Sequence, residues 1–264
     1  MSFGDFEQNA LAEFINTERA PDVLWIFVHV PKTAGSSFAS ELAGMRCPYR
    51  NIHIDYSDQT RSHAGKMDEA VARFVEESRV TEFKSCSGHI DMDHVEQIRA
   101  IHPAAKVITF LRNPLARVVS DFRYARTPAH PPYRDFIRLY PTILDYILAP
   151  ESQNKMARIL CGSKFRTVTD VPAVIADSLA FAGLVEMYPM SFNIISQLFG
   201  ENTMPTEYKR KTESVAENQI ELDGFLKREI MKANELDFAV YDYVRERLAK
   251  KREEWAAFRS RRSA

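Results

Sequence analysis

The stretch LWIFVHVPKTAGSS, residues 24–37, joins an apolar run to a turn that carries a lysine. The run is rich in β-branched and aromatic residues and predicts a buried strand, which Pro31 ends. The residues after the turn suit a helix, and Gly35 with the serines behind it is sufficient for an ordinary strand-to-helix connection. That connection does not need Lys32, whose presence therefore indicates a ligand.

The composition is that of a globular chain with balanced charge. Of its 264 residues, 45% are hydrophobic and 27% are charged, which fits one large domain. The formal net charge of -1, from 35 Lys and Arg against 36 Asp and Glu, argues against a general nucleic-acid-binding protein, so any anion site must be local. We expect a single domain over residues 1–264, with an N-terminal extension at 1–22 and a solvated basic tail at 250–264.

Cysteine spacing and hydropathy favour a cytoplasmic chain. Cys47, Cys86 and Cys161 lie far apart without CxxC spacing, and one would remain unpaired if two formed a bridge, so we expect reduced thiols. The first residues contain no apolar signal segment, and no window approaches the roughly 18 apolar residues that a membrane span requires. We therefore expect no transmembrane segment.

Strand-like and helix-like segments alternate through the first two thirds of the chain. The predicted strands cover 24–30, 83–87, 106–111 and 181–185, the second of them weakly. The predicted helices between them cover 67–79, 114–126, 141–161 and 170–180, and later ones cover 189–199, 215–232 and 234–249. This alternation predicts an α/β fold with a mostly parallel sheet covered by helices, in which ligands bind beyond the carboxyl ends of the strands.

The turn after the first strand has the composition of a phosphate-binding loop in a different order. In the GxxxxGK[ST] loop the lysine follows the second glycine, whereas here it precedes the only glycine of the turn, which argues against an ordinary NTPase or kinase. Successive backbone N–H groups still converge at a predicted helix N-terminus, a position that favours anions. The residues that we assign to this anion site are Lys32, Thr33, Ala34, Gly35, Ser36 and Ser37.

A second candidate anion site follows the strand predicted at 106–111. Arg112 comes at the carboxyl end of that strand, and Asn113 with Pro114 begins a helix. Ser120 lies two turns into the helix, so its hydroxyl and the Arg112 guanidinium could both donate to one further phosphate. Two anion-binding strand ends in one sheet favour a functional site over a surface ion pair.

Together these residues resemble the sulfotransferase superfamily, most closely the carbohydrate-type branch called sulfotransferase family 2. VPKTAGSS at 30–37 is similar to the 5′-phosphosulfate loop of that family, and FLRNPLARVVSDF at 110–122 is similar to its 3′-phosphate motif. Weaker similarity continues at 87–90, 154–162, 181–200 and 234–248. The resemblance implies a P-loop-like three-layer α/β fold with a helical C-terminal part.

The resemblance also implies the reaction. The donor would be 3′-phosphoadenosine 5′-phosphosulfate (PAPS), the nucleotide product 3′-phosphoadenosine 5′-phosphate (PAP), and the transferred unit a sulfuryl group that passes to an acceptor hydroxyl. Lys32 would stabilise the leaving phosphate oxygen, and the backbone of 33–37 would hold the 5′-phosphate. Arg112 and Ser120 would hold the 3′-phosphate. No metal is expected, because the lysine and the loop amides neutralise the charge.

An acceptor hydroxyl needs a base, and His89 is the best candidate among seven histidines. It follows a short predicted strand, and with the glycine before it matches a Gly-His pattern of the family. A histidine buried for packing is the alternative interpretation, and His53 and Asp55 are fallback bases.

Two other classes of function remain open from the sequence. His89, Asp91, Asp93 and His94 in HIDMDH could ligate a divalent metal on one side of a strand, as in a metal-dependent hydrolase, although Asp93 also fits the N-cap of a helix. A non-catalytic nucleotide-binding protein of the same fold is the second alternative. Against it stands the co-occurrence of the lysine, the arginine, the serine and the histidine.

The acceptor is the least defined part of the prediction. Two segments rich in Arg, Tyr and His, at 44–66 and 123–140, are expected to contact it as variable loops. Their composition suits a polar, hydroxyl-bearing acceptor, and we expect a carbohydrate or glycoconjugate.

Overall fold

The structure, a computed structural model, describes residues 2–54, 62–130, 132–164, 167–206 and 220–262. The strands of this part of the chain are β1 Trp25–Val28, β2 Tyr49–Ile52, β3 Ser85–Gly88, β4 Lys106–Leu111 and β5 Phe181–Leu184. The α-helices are α1 Leu11–Glu18, α2 Gly35–Met45, α3 His63–Glu77, α4 Met92–Arg99, α5 Pro114–Ala125, α6 Tyr133–Leu139, α7 Ile143–Leu148, α8 Lys155–Cys161, α9 Asp170–Ser178, α10 Tyr188–Leu198, α11 Gly224–Ala233, α12 Glu235–Lys250 and α13 Arg252–Arg262.

The five strands form one sheet in the order β2-β3-β1-β4-β5, and all neighbouring strands run parallel. All four residues of β1 are buried, as expected for an apolar run in the middle of a parallel sheet that helices cover on both faces. Val28 pairs with Gly88 on one side and with Thr109 on the other. The carboxyl ends of β1, β3 and β4 therefore meet at one edge, and the predicted α/β fold is confirmed.

Helices cover both faces of the sheet. On one face α2 packs through Phe38, whose ring lies 4.7 Å from that of Phe27 and 4.9 Å from that of Phe110, and α10 adds Phe192. The other face is covered by α8, α9 and α12, which contact one another. A smaller apolar cluster joins α5, α7 and α11 beside the sheet. The predicted helical C-terminal part is present in α11 to α13.

The N-terminal residues belong to the main core. Phe3 and Phe6, in a short 3₁₀ helix, are fully buried, and both rings contact Phe181 of β5. Phe14 of α1 is also fully buried. At the other end of the chain, Glu254 of α13 accepts a hydrogen bond from the backbone N–H of Leu11 at 2.7 Å, which ties the two termini together.

Four local predictions were wrong. The segments 44–66 and 123–140 are not only loop, because the first contains β2 and the start of α3 and the second contains the end of α5 and all of α6. The helix predicted at 141–161 is divided into α7, a 3₁₀ turn and α8, since Pro150 lacks an N–H donor and Asn154 adopts a left-handed φ of 51°. The helix predicted from residue 215 begins only at Gly224, and residues 207–219 lie outside the described ranges.

The HIDMDH segment also differs from its prediction. β3 ends at Gly88 and α4 begins at Met92, so residues 89–94 are not one strand with side chains on a common side. Asp91, not Asp93, is the N-cap, and its carboxylate accepts a hydrogen bond from the backbone N–H of His94 at 3.0 Å. The three cysteines are free thiols, with Cys47 exposed and the other two buried. Among the described residues, none of the helices has the length and apolar character needed to traverse a bilayer.

Candidate active site

The two predicted anion-binding motifs lie against each other at the carboxyl edge of the sheet. Arg112, directly after β4, donates from Nη1 to the backbone carbonyl of Lys32 at 3.4 Å. Both residues are half-buried. The loop after β1 and the loop after β4 therefore form one continuous surface, as parallel strand ends predict.

The loop between β1 and α2 is held in an unusual conformation. Lys32 and Ala34 have φ values of 70° and 62°, in the left-handed region that non-glycine residues seldom adopt. The buried Thr33 hydroxyl donates to the Val30 carbonyl at 2.8 Å and fastens the turn from inside. Alternation of left- and right-handed residues turns successive N–H groups to one side, which is an arrangement that binds anions.

The N-terminus of α2 is suited to an external anion. Its N-cap residue is Ala34, whose methyl group cannot accept a hydrogen bond, and the first turn contains no acidic residue. Ser36 is exposed and Ser37 is buried. The Thr33 side chain faces the Val30 carbonyl, so only its backbone N–H is available for the role that the sequence predicts.

One face of α5 is turned toward the lysine. The Lys32 ammonium lies 3.9 Å from the centre of the Tyr124 ring, a cation–π contact. Ser120 precedes Tyr124 by four residues, so both lie on the same face of the helix. The structure thus brings Lys32, Arg112 and Ser120 to one region, although the contact of the lysine is with a residue that the sequence analysis did not single out.

The arginine of this region is partly desolvated. Burial lowers the pKa of Arg112, and the carboxylate of Glu186 acts in the opposite direction. Glu186 follows β5 and accepts a hydrogen bond from the Asn113 N–H at 2.8 Å. It thereby fixes the start of α5 beside the guanidinium.

His89 is exposed at the same edge, and its contacts define its tautomer. Nδ1 lies 2.7 Å from the carbonyl oxygen of His29, and since a carbonyl can only accept, Nδ1 carries the proton. The neutral ring therefore presents an unprotonated Nε2. Desolvation by the surrounding protein atoms lowers the pKa of His89 below its ordinary value, while the hydrogen bond to His29 opposes that shift. The ring is neutral near pH 7, as a base must be.

His29, directly after β1, lies beside His89. The two ring centroids are 4.2 Å apart, and the Phe27 ring, two residues earlier in the chain, lies 5.6 Å from that of His29. Burial, followed by the nearby His89 and Lys32, lowers the pKa of His29 to about 3. This histidine is therefore neutral.

One of the two fallback bases, His53, lies at the same carboxyl edge as His89, because Ile52 pairs with Gly88 in the parallel sheet. His53 is exposed beyond β2, and its nearest described polar contact joins Nδ1 to the Asn51 carbonyl at 3.4 Å. Asp55 lies outside the described residues.

The acidic and histidine residues at 89–94 have structural partners. His94 lies between Asp91, 2.6 Å from Nδ1, and Asp68 of α3, 3.0 Å from Nε2. Asp93 accepts a hydrogen bond from the Ser163 hydroxyl at 3.3 Å. Within the described ranges, no three His, Cys, Asp or Glu side chains are grouped as metal ligands. The geometry gives the hydrolase alternative no support.

The adjacent row of α5 carries a buried polar network. Arg117, fully buried, lies 3.3 Å from Asp121 and 3.6 Å from Asp237 of α12. Lys155 of α8 donates to Asp121 at 2.8 Å, and the Tyr146 hydroxyl donates to the same oxygen at 2.7 Å. The weaker motif stretches at 154–162 and 234–248 therefore meet around α5.

Two residues of the site, His29 and Tyr124, were missed from the sequence. His29 stands one residue after its strand, as His89 does after β3, and a comparison of the two strand ends could have found it. Tyr124 is four residues beyond Ser120 on a predicted helix, which is the spacing of a shared face.

Comparison with known protein families identifies the family of this chain. The model described as "Sulfotransferase family" matches residues 18–244, which is most of the chain. The protein belongs to the sulfotransferase family. Among solved structures, the chain is similar to mouse sulfotransferase SULT7A1 complexed with PAP, with a TM-score of 0.40 and 14% identity over 89% of this chain and 71% of that chain. No curated protein matches it.

The predicted family and the predicted enzyme class, a sulfotransferase, are confirmed by this match. The roles given to individual residues, from Lys32 to His89, stay predictions.

Proposed function

We propose that the protein transfers a sulfuryl group from PAPS to a hydroxyl group of a carbohydrate or glycoconjugate. Membership of the sulfotransferase family supports the donor and the reaction. The observation that carries the proposal is the contact between Arg112 and the Lys32 carbonyl, because it joins two cation-bearing strand ends into one surface. A ligand with phosphates at both its 3′ and 5′ positions matches such a surface.

The residues present fit the donor. The first turn of α2 offers backbone N–H groups beyond an alanine N-cap, and these suit the 5′-phosphate. Arg112 and Ser120, on the neighbouring loop and helix, suit the 3′-phosphate. When bound, the donor supplies an activated sulfuryl group that an oxygen links to the 5′-phosphate.

Lys32 stabilises the departing oxygen. As the bond between sulfur and that oxygen breaks, negative charge develops on the phosphate, and a nearby ammonium stabilises it. The distance of 3.9 Å between Nζ and the Tyr124 ring centre supports this role, because the ring holds the ammonium beside α5 and leaves its charge in place.

His89 accepts the proton of the acceptor hydroxyl. Its Nδ1–H is used by the His29 carbonyl, so the lone pair at Nε2 is the basic site. A new bond forms between the acceptor oxygen and sulfur, and the hydroxyl proton passes to Nε2. The lowered pKa of His89 keeps this nitrogen unprotonated near pH 7.

The choice of acceptor rests on the residues around the site. His130, whose ring lies 5.8 Å from that of Tyr124, provides a stacking group beside the site, and the arginines of 123–140 are the hydrogen-bond donors that we assign to the acceptor. Such groups suit a hydroxyl-rich and acidic saccharide.

The test is transfer of radiolabelled sulfate from PAPS to panels of saccharides, phenols and lipids, with Lys32→Ala as the negative control. We expect label on the saccharides only. Label on phenols or lipids alone contradicts the acceptor class, and no label on any panel contradicts the activity.

The base assignment has its own test. We expect His89→Ala to lower kcat about a hundredfold or more with little change in PAP affinity, and His53→Ala to have a small effect. If His53→Ala abolishes turnover while His89→Ala does not, the base lies in the segment after β2. Circular dichroism of both variants excludes loss of folding as the cause.

A further inference from the structure

We propose that His29 is a positioning residue of the active site: its imidazole, held between the loop glycine Gly35 and His89, orients the base and is the reason that glycine is required at position 35. The part that concerns the base rests on the proposed function. The anion-binding role of the loop explains neither the presence of His29 nor its contact with Gly35.

The parallel register places the two histidines side by side. The last pair of the β1–β3 ladder is Val28 with Gly88, and the His29 N–H donates to the Gly88 carbonyl at 2.9 Å. The next hydrogen bond along this line is the one from His89 Nδ1 to the His29 carbonyl, at 2.7 Å. The ladder of hydrogen bonds thus passes from the backbone to the side chain of the base at the edge of the sheet.

The His29 ring fills the space under the base. It is nearly parallel to the Phe27 ring, with an interplanar angle of 16° and a centroid distance of 5.6 Å. The His89 ring is 4.2 Å away from the His29 ring and tilted by 31°. A flat group at this position limits the orientations that His89 can adopt, in addition to the hydrogen bond at Nδ1.

The same ring contacts the loop. A Cβ atom at Gly35 would lie 1.9 Å from Cδ2 and 2.0 Å from Nε2 of His29, which is far inside van der Waals contact. Gly35 begins α2, and its φ is not in the left-handed region, so an alanine would suit the backbone. The obstacle to a side chain at position 35 is therefore the imidazole. The His29 ring thus contacts both the base, His89, and the loop that would hold the donor.

The surroundings keep this ring uncharged. His29 faces His89 after β3 and Lys32 in the loop, and burial together with these two groups lowers its pKa to about 3. His89 faces His63 of α3, which lowers its pKa, and Asp121 of α5, which raises it, while desolvation has the largest effect. A neutral ring at position 29 shields the base from water and adds no charge beside it.

The contact between His29 and Gly35 is tested by a double-mutant cycle on melting temperature. We expect Gly35→Ala to lower the melting temperature in the wild-type background and to have no further effect in the His29→Ala background. Gly44→Ala is the matched control in the same helix, since its added Cβ meets no atom within 4 Å. An equal loss from Gly35→Ala in both backgrounds overturns the proposal. If His29→Ala does not fold, the cycle is run with His29→Ser under the same criterion.

The positioning of His89 is tested by NMR titration of the histidine rings, with His89→Gln for assignment. In His29→Ala we expect the pKa of His89 to rise toward the ordinary value of 6.5, because water replaces the ring, and in His29→Phe we expect it to stay low. In transfer assays, His29→Ala should lower kcat roughly ten- to hundredfold at an unchanged donor affinity, and His29→Phe should retain most of the rate.

His102→Ala is the control for both measurements, because His102 lies before β4 at the opposite edge of the sheet. It should leave the pKa of His89 and kcat unchanged. An unaltered pKa and rate in His29→Ala would contradict the positioning role. The melting and NMR experiments do not require turnover. If the wild-type protein shows no transfer activity, the proposed function is refuted. The contacts of His29 are still tested by these two experiments.

Discussion

Two adjacent rows of side chains on α5 serve different purposes. Ser120 and Tyr124 form one row, which lies beside Lys32, whose ammonium contacts the Tyr124 ring. Arg117 and Asp121 form the next row, about a sixth of a turn around the helix, where the guanidinium contacts two carboxylates. The charge of Arg117 is balanced by carboxylates within the protein, whereas an aromatic ring attracts the Lys32 ammonium without neutralising it. One helix of 12 residues therefore supports both the frame and the site.

The partner of Arg117 on α12 is connected to α8 through a few polar groups. The Asp237 carboxylate accepts a hydrogen bond from the Ala157 N–H at 2.8 Å, and the Asn154 side chain accepts one from the Leu236 N–H at 3.0 Å. Asn234 accepts a hydrogen bond from the Asn154 N–H at 3.0 Å. These bonds lock α8 to α12 and hold the two weaker motif stretches together.

The largest effect is expected in the row of Arg117 and Asp121. Arg117→Ala removes the guanidinium from two buried carboxylates, and we expect the free energy of unfolding to fall by about 3–5 kcal/mol. Urea denaturation measures it. Arg112→Ala, between β4 and the same helix, is the control and should cost far less, since Arg112 is only half-buried. A smaller loss for Arg117→Ala than for Arg112→Ala would invalidate the division between the two rows.

The second prediction concerns the lysine beside the row of Ser120 and Tyr124. Lys32→Ala should lower kcat by roughly 10²–10³, because it removes the charge opposite the leaving oxygen, and stability should change little. Lys84→Ala, with its ion pair to Glu82 just before β3, is the control at the opposite edge. Near-normal turnover in Lys32→Ala would exclude the lysine from the mechanism.

The sequence predicts those elements in which one local signal dominates. Strands β1, β4 and β5 are short apolar runs, and α5 begins at Pro114 after an Asn113 side chain that accepts hydrogen bonds from two backbone N–H groups of its first turn. β2 was missed because Tyr49 and the two residues after it are partly or fully exposed, so YRNI lacks a buried apolar pattern. The single-domain organisation stays a prediction.

Some residues of the candidate site could likewise be predicted from the sequence, and others could not. The proximity of Lys32 and Arg112 could be predicted, because both follow parallel strands of one sheet. His29 and Tyr124 could not be assigned in the same way, since their positions depend on the register of β1 against β3 and on the rotation of α5, which are properties of the packed chain. The metal hypothesis depended on a strand through 89–93, whereas β3 ends at Gly88 and α4 begins at Met92, two residues before the start that an N-cap at Asp93 predicts.

The third prediction separates binding from catalysis within the site. Arg112→Ala should weaken PAP binding about ten- to hundredfold, because a charged hydrogen-bond donor to the 3′-phosphate is lost, and Ser120→Ala should weaken it less. Isothermal titration with PAP measures both, with Lys84→Ala again as the control. If Arg112→Ala binds PAP as well as the wild type, the guanidinium only supports the Lys32 carbonyl, and the second motif is structural.

The fourth prediction, with the smallest expected effect, compares two histidines that are five residues apart. His89 lies at the site with a lowered pKa, whereas hydrogen bonding to Asp91, opposed by burial and aided by Asp68, raises the pKa of His94 above 6.5. A raised pKa in the folded state means that protonated His94 stabilises the protein fully below pH 6.5 and that this contribution is lost as the pH rises through the folded value. We expect about 1 kcal/mol or less, since Asp68 is largely exposed. The free energy of unfolding of wild type minus that of His94→Ala should therefore be larger at about pH 5.5 than at about pH 8.5. His53→Ala is the control for loss of an exposed histidine. If this stability difference instead grows with pH, the folded protein favours neutral His94. The ion pairs assigned to His94 with Asp91 and Asp68 would then be wrong.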